Sequence, residues 1–142
     1  MNYAVSVKKI MSARVVTVEL GDKLSAVKEI FENCKFHHVL AVEDGELIGI
    51  VSDGDLFKAL SPNIGTFTET YKDAATLDKR VHQIMAHHPI VLGENATIGD
   101  AIDLFNTHNI SCIPVVNSQN WPVGIISWRD ILKNIRPAML PV

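Results

Sequence analysis

The stretch that decides the fold occurs twice in the chain, as Gly49-Ile50-Val51-Ser52-Asp53-Gly54-Asp55 and again as Gly124-Ile125-Ile126-Ser127-Trp128-Arg129-Asp130. Each copy has the pattern of a buried β-branched strand entered through glycine, followed by a Ser-x-x-Asp step that opens a helix. Serine is a preferred helix N-cap, and an acidic residue in the first turn suits the positive end of the helix dipole. A single copy is explained by capping alone, whereas two copies at equivalent places make a stronger case for a shared role.

The rest of the chain repeats around these two stretches. Phe31 matches Phe105, 74 positions later (105 − 31 = 74), and Gly49 matches Gly124, 75 positions later (124 − 49 = 75). The second copy therefore carries one extra residue, which we place in the turn Asn117-Ser118-Gln119-Asn120, where an insertion is tolerated.

Both copies show the same order of hydrophobic periods, which predicts a β-α-β-β-α arrangement after a short helical turn. In the first copy the predicted elements are a turn over 7–11, a strand over 15–18, an amphipathic helix over 24–31 capped by Asp22, a hairpin over 39–42 and 47–51, and a helix over 53–60. In the second they are a turn over 81–85, a strand over 90–92, a helix over 98–105 capped by Asn95 or Thr97, a hairpin over 113–116 and 123–126, and a helix over 128–135. The fold class is thus α/β (α+β), and the two halves are expected to pack together.

Composition limits the class of function. The chain has 142 residues, of which 47% are hydrophobic and 20% charged, as in ordinary soluble domains. A net charge of -3 argues against nucleic acid as a partner, because duplex binding depends on a basic face. We find neither an apolar run of membrane-spanning length nor a signal-peptide pattern, so we expect no membrane association and a cytoplasmic location.

The two cysteines are expected to be reduced, buried thiols, with a single disulfide as the alternative. Cys34 falls near the end of a predicted helix and Cys112 at the start of a predicted strand. Neither has a C-x-x-C neighbour of the kind that binds metal.

The segment 61–80 separates the two copies and is predicted to be a linker with a helical turn. It is polar, contains Pro62 and Gly65, and keeps no sustained period. We expect the aromatic rings of Thr66-Phe67-Thr68-Glu69-Thr70-Tyr71 to lie against the body of the protein, and we assign the segment no chemistry.

Taken together, the repeat is similar to a tandem pair of CBS domains, the small regulatory domains named after cystathionine β-synthase. The resemblance rests on the leading Val-x-x-Ile-Met at Val7 and Val81, on Ile113-Pro114-Val115-Val116, and on the two stretches quoted above. It implies domains at 7–60 and 81–136 joined by a 61–80 linker, related by pseudo-twofold symmetry and leaving two equivalent clefts. It also implies binding of an adenine nucleotide or adenosyl compound (AMP, ADP, ATP or S-adenosylmethionine) and assembly into a homodimer.

The Ser-x-x-Asp steps fit such a ligand physically. An aspartate can accept hydrogen bonds from the cis diol of a ribose, and a serine at a helix N-terminus suits a phosphate. We therefore assign Asp55 and Asp130 to the ribose, and Ser52 and Ser127 to the phosphate side or to the cap.

The resemblance also implies which residues line each cleft. They come from the segment ahead of the second strand, and from the start of the amphipathic helix of the opposite repeat. By position, the residues are Phe36, His37, His38, Ile110, Ser111, Cys112, Asp22, Val27, Ala96 and Ala101. Their apolar members are expected to sandwich a purine, and the backbone of the strand entries to read its edge.

The two clefts are expected to differ in charge. Asp53 would repel a phosphate, whereas Arg129 would clamp one, which favours the Ser127–Asp130 cleft as the tighter site. Two alternatives stay open: Arg129 as a solvated side chain or one paired to a linker carboxylate, and Trp128 as a packing or dimer contact rather than a ligand stack. The histidines at 37 and 38 are expected to supply hydrogen-bond donors rather than to bind metal, since neighbouring residues of a strand point to opposite faces.

These features favour a stand-alone regulatory module that binds an adenosine-containing molecule and signals, to itself or to an unidentified client protein, by altered packing. The alternative is a structural dimerisation module with vestigial clefts. The sequence contains no Gly-rich phosphate loop, no G-x-S-x-G elbow and no metal-ligand spacing, so we expect neither an enzyme nor a resident cofactor.

Overall fold

Buried apolar side chains form two separate cores in the computed structural model, which describes residues 2–136. Each core belongs to one compact unit. The first unit comprises residues 16–89, and the second comprises residues 2–15 together with 90–136.

The first unit is built on a four-stranded sheet in the order β1-β2-β3-β4. β1 runs parallel to β2, and the β2-β3 and β3-β4 pairs are antiparallel. The strands are β1 (Thr17–Glu19), β2 (His38–Glu43), β3 (Glu46–Ser52) and β4 (Ala86–His87). The helices are α1 (Leu24–Asn33), α2 (Asp53–Ala59), α3 (Tyr71–Ala75) and α4 (Val81–Ile84), with a 3-10 turn at Thr76–Asp78.

The second unit repeats this plan with three strands in the order β5-β6-β7. β5 is parallel to β6, and β6 is antiparallel to β7. The elements are a 3-10 turn (Val7–Lys9), β5 (Leu92–Gly93), α5 (Ile98–Thr107), β6 (Cys112–Val116), β7 (Pro122–Ser127) and α6 (Trp128–Lys133). Within residues 2–136 no helix combines the length and the apolar character that crossing a membrane requires.

The hairpins fix where the two Ser-x-x-Asp steps lie. Asp44 and Gly45 both have positive φ angles, of 50° and 84°, as a tight two-residue β-hairpin requires. The resulting register places His38 opposite Ser52, and the second hairpin likewise places Cys112 opposite Ser127. Each Ser-x-x-Asp step therefore begins beside the entry of the preceding strand.

One predicted cap is confirmed and one is wrong. Thr97 caps α5, and its hydroxyl accepts the backbone N–H of Asp100. Asp22 does not cap α1, whose N-cap is Lys23 with no side-chain bond. The Asp22 carboxylate instead accepts the backbone N–H of Glu19 at 2.8 Å, because the connection between β1 and α1 is a tight turn that satisfies this side chain locally.

The leading turn of each repeat lies in the compact unit that contains most of the other repeat. Val7 is fully buried among the side chains of the second unit, and its N–H donates to the carbonyl of Ala96 at 3.0 Å. Val81 is fully buried in the first unit, and its N–H donates to the carbonyl of Asp22 at 2.9 Å. The boundaries of the compact units therefore differ from those of the sequence repeats. The domain limits 7–60 and 81–136, with a linker at 61–80, describe the sequence repeats and remain a proposal.

The segment 61–80 is held by polar side chains, so the predicted packing of its aromatic rings is wrong. Phe67 and Tyr71 are fully exposed. The Ser61 hydroxyl donates to Asp73 at 2.6 Å, and the Ser61 N–H donates to the Thr76 hydroxyl at 3.1 Å. The bond from the Ser61 hydroxyl, together with that from the Thr70 N–H, keeps the pKa of Asp73 below its ordinary value. The segment is thus ordered without ring packing.

Both cysteines are free, but only one is buried as predicted. Cys112 is buried, and burial raises the pKa of its thiol to about 12. Cys34 is exposed because it is the C-cap of α1, where the chain leaves the helix at the surface.

Candidate functional site

The two Ser-x-x-Asp steps form the same reciprocal helix cap. In the first unit the Asp55 N–H donates to the Ser52 hydroxyl, and the Ser52 N–H donates to Asp55 Oδ2, both at 3.0 Å. In the second unit the equivalent distances for Ser127 and Asp130 are 3.1 and 2.8 Å. Capping is therefore a complete local reason for both residue types.

Each cap engages only one oxygen of its aspartate. Oδ2 of Asp55 and Oδ2 of Asp130 accept the serine N–H, whereas Oδ1 of neither aspartate takes part in the cap. Both carboxylates are half-buried. The cap thus holds each carboxylate rigidly while one oxygen remains able to accept a hydroxyl group, so capping and ribose binding are compatible.

A side-chain pair that the sequence analysis did not predict lies beside the first step. His37 Nδ1 is 2.9 Å from Asp53 Oδ2, and the Asp53 backbone N–H donates to the His37 carbonyl, also at 2.9 Å. The second oxygen of Asp53 accepts the N–H of Gly54 at 2.7 Å. Asp53 is therefore held in place by His37 and by the Gly54 N–H.

Two pKa values in this cluster are displaced. The hydrogen bond from His37 lowers the pKa of Asp53 below its ordinary value. Burial lowers the pKa of His38, with His37 acting in the same direction and the charges of Asp53 and Asp55 opposing. These shifts favour the carboxylate form of Asp53 and the neutral form of His38.

The second unit carries different chemistry on the same backbone frame. Ser111 and Trp128 occupy the positions of His37 and Asp53, and the Trp128 N–H points to the Ser111 carbonyl at 3.4 Å. The guanidinium of Arg129 lies over the exposed Trp128 ring, 5.8 Å from its centroid. This contact holds a permanent cation one residue before Asp130.

The structure brings some of the predicted wall residues to the Ser-x-x-Asp steps and not others. The segments carrying Phe36, His37 and His38 and carrying Ile110, Ser111 and Cys112 lead into the strands paired with β3 and β7. Val27 and Ala101 are fully buried in the two cores and offer no surface. Asp22 lies in the turn before α1, and Ala96 lies in the turn before α5, where its carbonyl accepts the Val7 N–H.

An open pocket of about 560 Å³ lies on the first unit, between the end of α1 and the start of α2. Phe36, His37 and Asp53 line it, together with the exposed ring of Phe57. Ser52 and Asp55 do not line it, so the pocket adjoins the predicted ribose residues without including them. The spacing of hydrophobic residues in the sequence does not predict this pocket, because residues at the end of a helix and in a loop line much of it.

The chain has two pairs of adjacent histidines, His37-His38 and His87-His88, and neither forms a metal-binding cluster with other described side chains. Over residues 2–136, no group of three His, Cys, Asp or Glu side chains is arranged to hold a metal ion. His87 is part of β4, where it pairs with Gly49, and His88 follows with a positive φ of 51°.

Known proteins match the chain along nearly its whole length. The model of the CBS domain family matches residues 7–62 and 81–137. A CBS domain-containing protein of Dictyostelium discoideum is 27% identical over 140 residues, covering 97% of this chain and 96% of its own. The chain is 28% identical to a homoserine O-acetyltransferase of Methanosphaera stadtmanae over 139 residues, which is 92% of this chain but only 26% of that enzyme.

A solved structure gives the corresponding likeness in three dimensions. The CBS domain pair of protein MJ0100, in complex with 5′-methylthioadenosine and S-adenosyl-L-methionine, superposes with a TM-score of 0.74 at 25% identity. The match covers 92% of this chain and 94% of that chain.

Proposed function

Because the chain belongs to the CBS domain family, we propose that it is a regulatory module that binds an adenosine-containing small molecule through its two Ser-x-x-Asp steps. The observation that carries the proposal is the geometry of the caps. Each holds an aspartate in place through Oδ2 and leaves Oδ1 able to accept a ribose hydroxyl. The adenosine compounds bound by the MJ0100 pair support this class of ligand.

The residues around each step have separate roles in this proposal. Asp55 and Asp130 accept the ribose diol, and the backbone groups of 36–39 and 110–113 form hydrogen bonds with the edge of the base. Ser127 and Arg129 face the phosphate side in the second unit, where Arg129 supplies a positive charge held over Trp128. We therefore propose the second step as the tighter site for AMP, ADP or ATP.

Signalling follows if the ligand binds one packing arrangement better than another. A difference of a few kcal/mol in affinity is enough to shift a two-state equilibrium. We also propose that the module acts as a homodimer in the cytoplasm and passes its signal to a client protein. Acyl transfer is not part of the proposal, because the chain spans 26% of the acetyltransferase that it matches.

Replacing Asp130 with alanine is expected to weaken binding of the preferred adenosine compound at the second step by at least about tenfold, since a hydrogen bond to a charged group contributes roughly 1.5–3 kcal/mol. The measurement is isothermal titration calorimetry with adenosine, AMP, ADP, ATP and S-adenosylmethionine. In a parallel thermal-shift screen, ligand at 100 times its dissociation constant adds roughly 2.7 kcal/mol to the free energy of unfolding.

The chain offers a matched control for the loss of the cap. Asp100 forms the same reciprocal cap with Thr97 at the start of α5. Asp100→Ala removes an equivalent cap, so it lowers stability similarly but leaves ligand affinity unchanged. Equal affinities for the wild type and Asp130→Ala, with Asp55→Ala also silent, would contradict the proposal.

A structural dimerisation module is the second candidate, and one observation favours it. Phe57 on α2 and Leu132 on α6 occupy equivalent positions of the repeat and are both exposed, by 66% and 55%. Exposed apolar side chains on matching helices suit a protein interface. A well-folded protein that binds none of the five compounds would favour this function over ligand sensing.

A further inference from the structure

We infer that the His37–Asp53 pair makes the first unit select its ligand by charge, according to the protonation of His37. The site then admits neutral adenosine compounds when His37 is neutral, and also compounds with an anionic 5′ group when His37 is protonated. This inference rests on the proposed function, since it concerns the ligand class of the same Ser-x-x-Asp step.

The pair is placed where a bound ligand would meet it. Asp53 is the first residue after Ser52, and His37 precedes the strand residue that pairs with Ser52. The His37 side chain is 70% exposed and that of Asp53 is 40% exposed, and both line the open pocket. The hydrogen bond between them is thus solvent-accessible and beside the residues assigned to the ribose.

The hydrogen bond dictates what the pair offers to an anion. Because a carboxylate only accepts, the Nδ1 of His37 must carry the proton that is shared with Asp53. In the neutral imidazole, Nε2 is then an acceptor, so the pair presents one negative charge and no donor on that side. In the protonated imidazole, Nε2 becomes a donor and the charges of the two side chains cancel.

The other charged or titratable groups around the pair come from α1, from the loop before β2, from β2 and from α2. They are Glu32, Cys34, Lys35, His38 and Asp55. Glu32 is paired with Lys28. Burial lowers the pKa of His38 and so favours its neutral form, and the hydrogen bond from His37 lowers the pKa of Asp53 and so favours the carboxylate. Histidine is the side-chain class whose charge ordinarily changes between about pH 5 and 8, so pH is expected to act on the pair through the imidazole rather than the carboxylate.

The second unit provides the contrast within the same chain. Its equivalent positions carry Ser111 and Trp128, which do not titrate in this range, followed by the fixed cation of Arg129. The second step is therefore expected to favour anionic ligands at every pH. One chain would carry one pH-dependent and one pH-independent site.

The test uses two probes that differ only in a fixed charge, namely adenosine and adenosine 5′-sulfate. A sulfate ester keeps one negative charge throughout, unlike a phosphate, whose second proton leaves near pH 6. Calorimetry on the full chain carrying Asp130→Ala reports the first site. The ratio of the dissociation constant of the sulfate to that of adenosine is expected to fall by about fivefold or more from about pH 7.5 to about pH 5.5, the change that one unit charge about 4 Å away produces at the dielectric constant of bulk water.

Three variants separate the pair from its surroundings. Asp53→Asn should lower the ratio at both pH values, because the repelling charge is gone, while the ratio still falls towards low pH because His37 is retained. His37→Gln should give the high ratio at both, because an amide donates to Asp53 but gains no proton. Cys34→Ser should behave as its parent. In an Asp55→Ala background, which reports the second site, the ratio should not change with pH.

The outcomes distinguish the two proposals. Adenosine binding with a ratio that stays constant between the two pH values overturns the charge selection and leaves the proposed function standing. A pH response that survives in His37→Gln also overturns it, since another group would then be responsible. Failure of adenosine to bind in both backgrounds overturns the proposed function, and the charge selection with it.

Discussion

Replacing Val7 with aspartate is expected to open the second unit at a cost of several kcal/mol, a large share of the 5–15 kcal/mol that holds a typical domain folded. Val7 is fully buried in the same apolar cluster as Leu92, Ala101 and Ile113, and a carboxylate there would have no charged partner in that core. Native-state hydrogen exchange is the measurement. The amides of β6 and β7 should lose protection before those of β2 and β3.

Two further variants test whether this result is specific to the leading turns at Val7 and Val81. Val81→Asp is the reciprocal change, and it should release β2 and β3 first, because Val81 is fully buried in the first unit. Lys9→Asp changes an exposed residue of the same leading turn and should alter the free energy of unfolding by about 0.5 kcal/mol or less. If Val7→Asp instead loosened β2 and β3 first, the assignment of the turn to the second core would be wrong.

The same positions show how far the sequence determines the fold. The spacing of Val7, Ile10 and Met11 predicts one apolar face on a helical turn, and such a turn is present. The sequence does not say which core receives that face, because the second copy presents Val81, Ile84 and Met85 with the same spacing. The two hydrophobic cores are nearly equivalent, so only long-range packing decides which of them receives a given turn. The local spacing of apolar residues does not contain that information.

The candidate site divides in a similar way. Ser-x-x-Asp is a local pattern, so its cap could be predicted from four consecutive residues. The His37–Asp53 hydrogen bond joins residues separated by the whole β2-β3 hairpin, and it depends on the register that sets His38 opposite Ser52. The proximity of His37 and Asp53 could have been predicted by pairing the residues of the two strands one by one, starting from the Asp44-Gly45 turn.

Replacing Gly49 with valine is expected to destabilise the first unit by roughly 3 kcal/mol, at the upper end of overpacking costs. A Cβ at this position would lie 2.5 Å from the sulfur of Met85 and 2.9 Å from the carbonyl oxygen of Ala86. The glycine thus makes room for the segment that follows α4 and pairs with β3 as β4. Chemical denaturation measures the effect as a lower midpoint at an unchanged slope.

The matched control is Gly93→Val, because Gly93 is also a strand glycine but has no atom within 4 Å of its would-be Cβ. It should leave the midpoint nearly unchanged. In a Met85→Ala background, Gly49→Val should still lower the midpoint relative to Met85→Ala alone, because the contact with the Ala86 carbonyl remains and backbone moves less readily than a flexible thioether. No further loss in that background would mean that the glycine accommodates only the methionine side chain. A further loss would identify close approach of the β4 backbone as the reason why glycine stands at the head of the first Ser-x-x-Asp stretch.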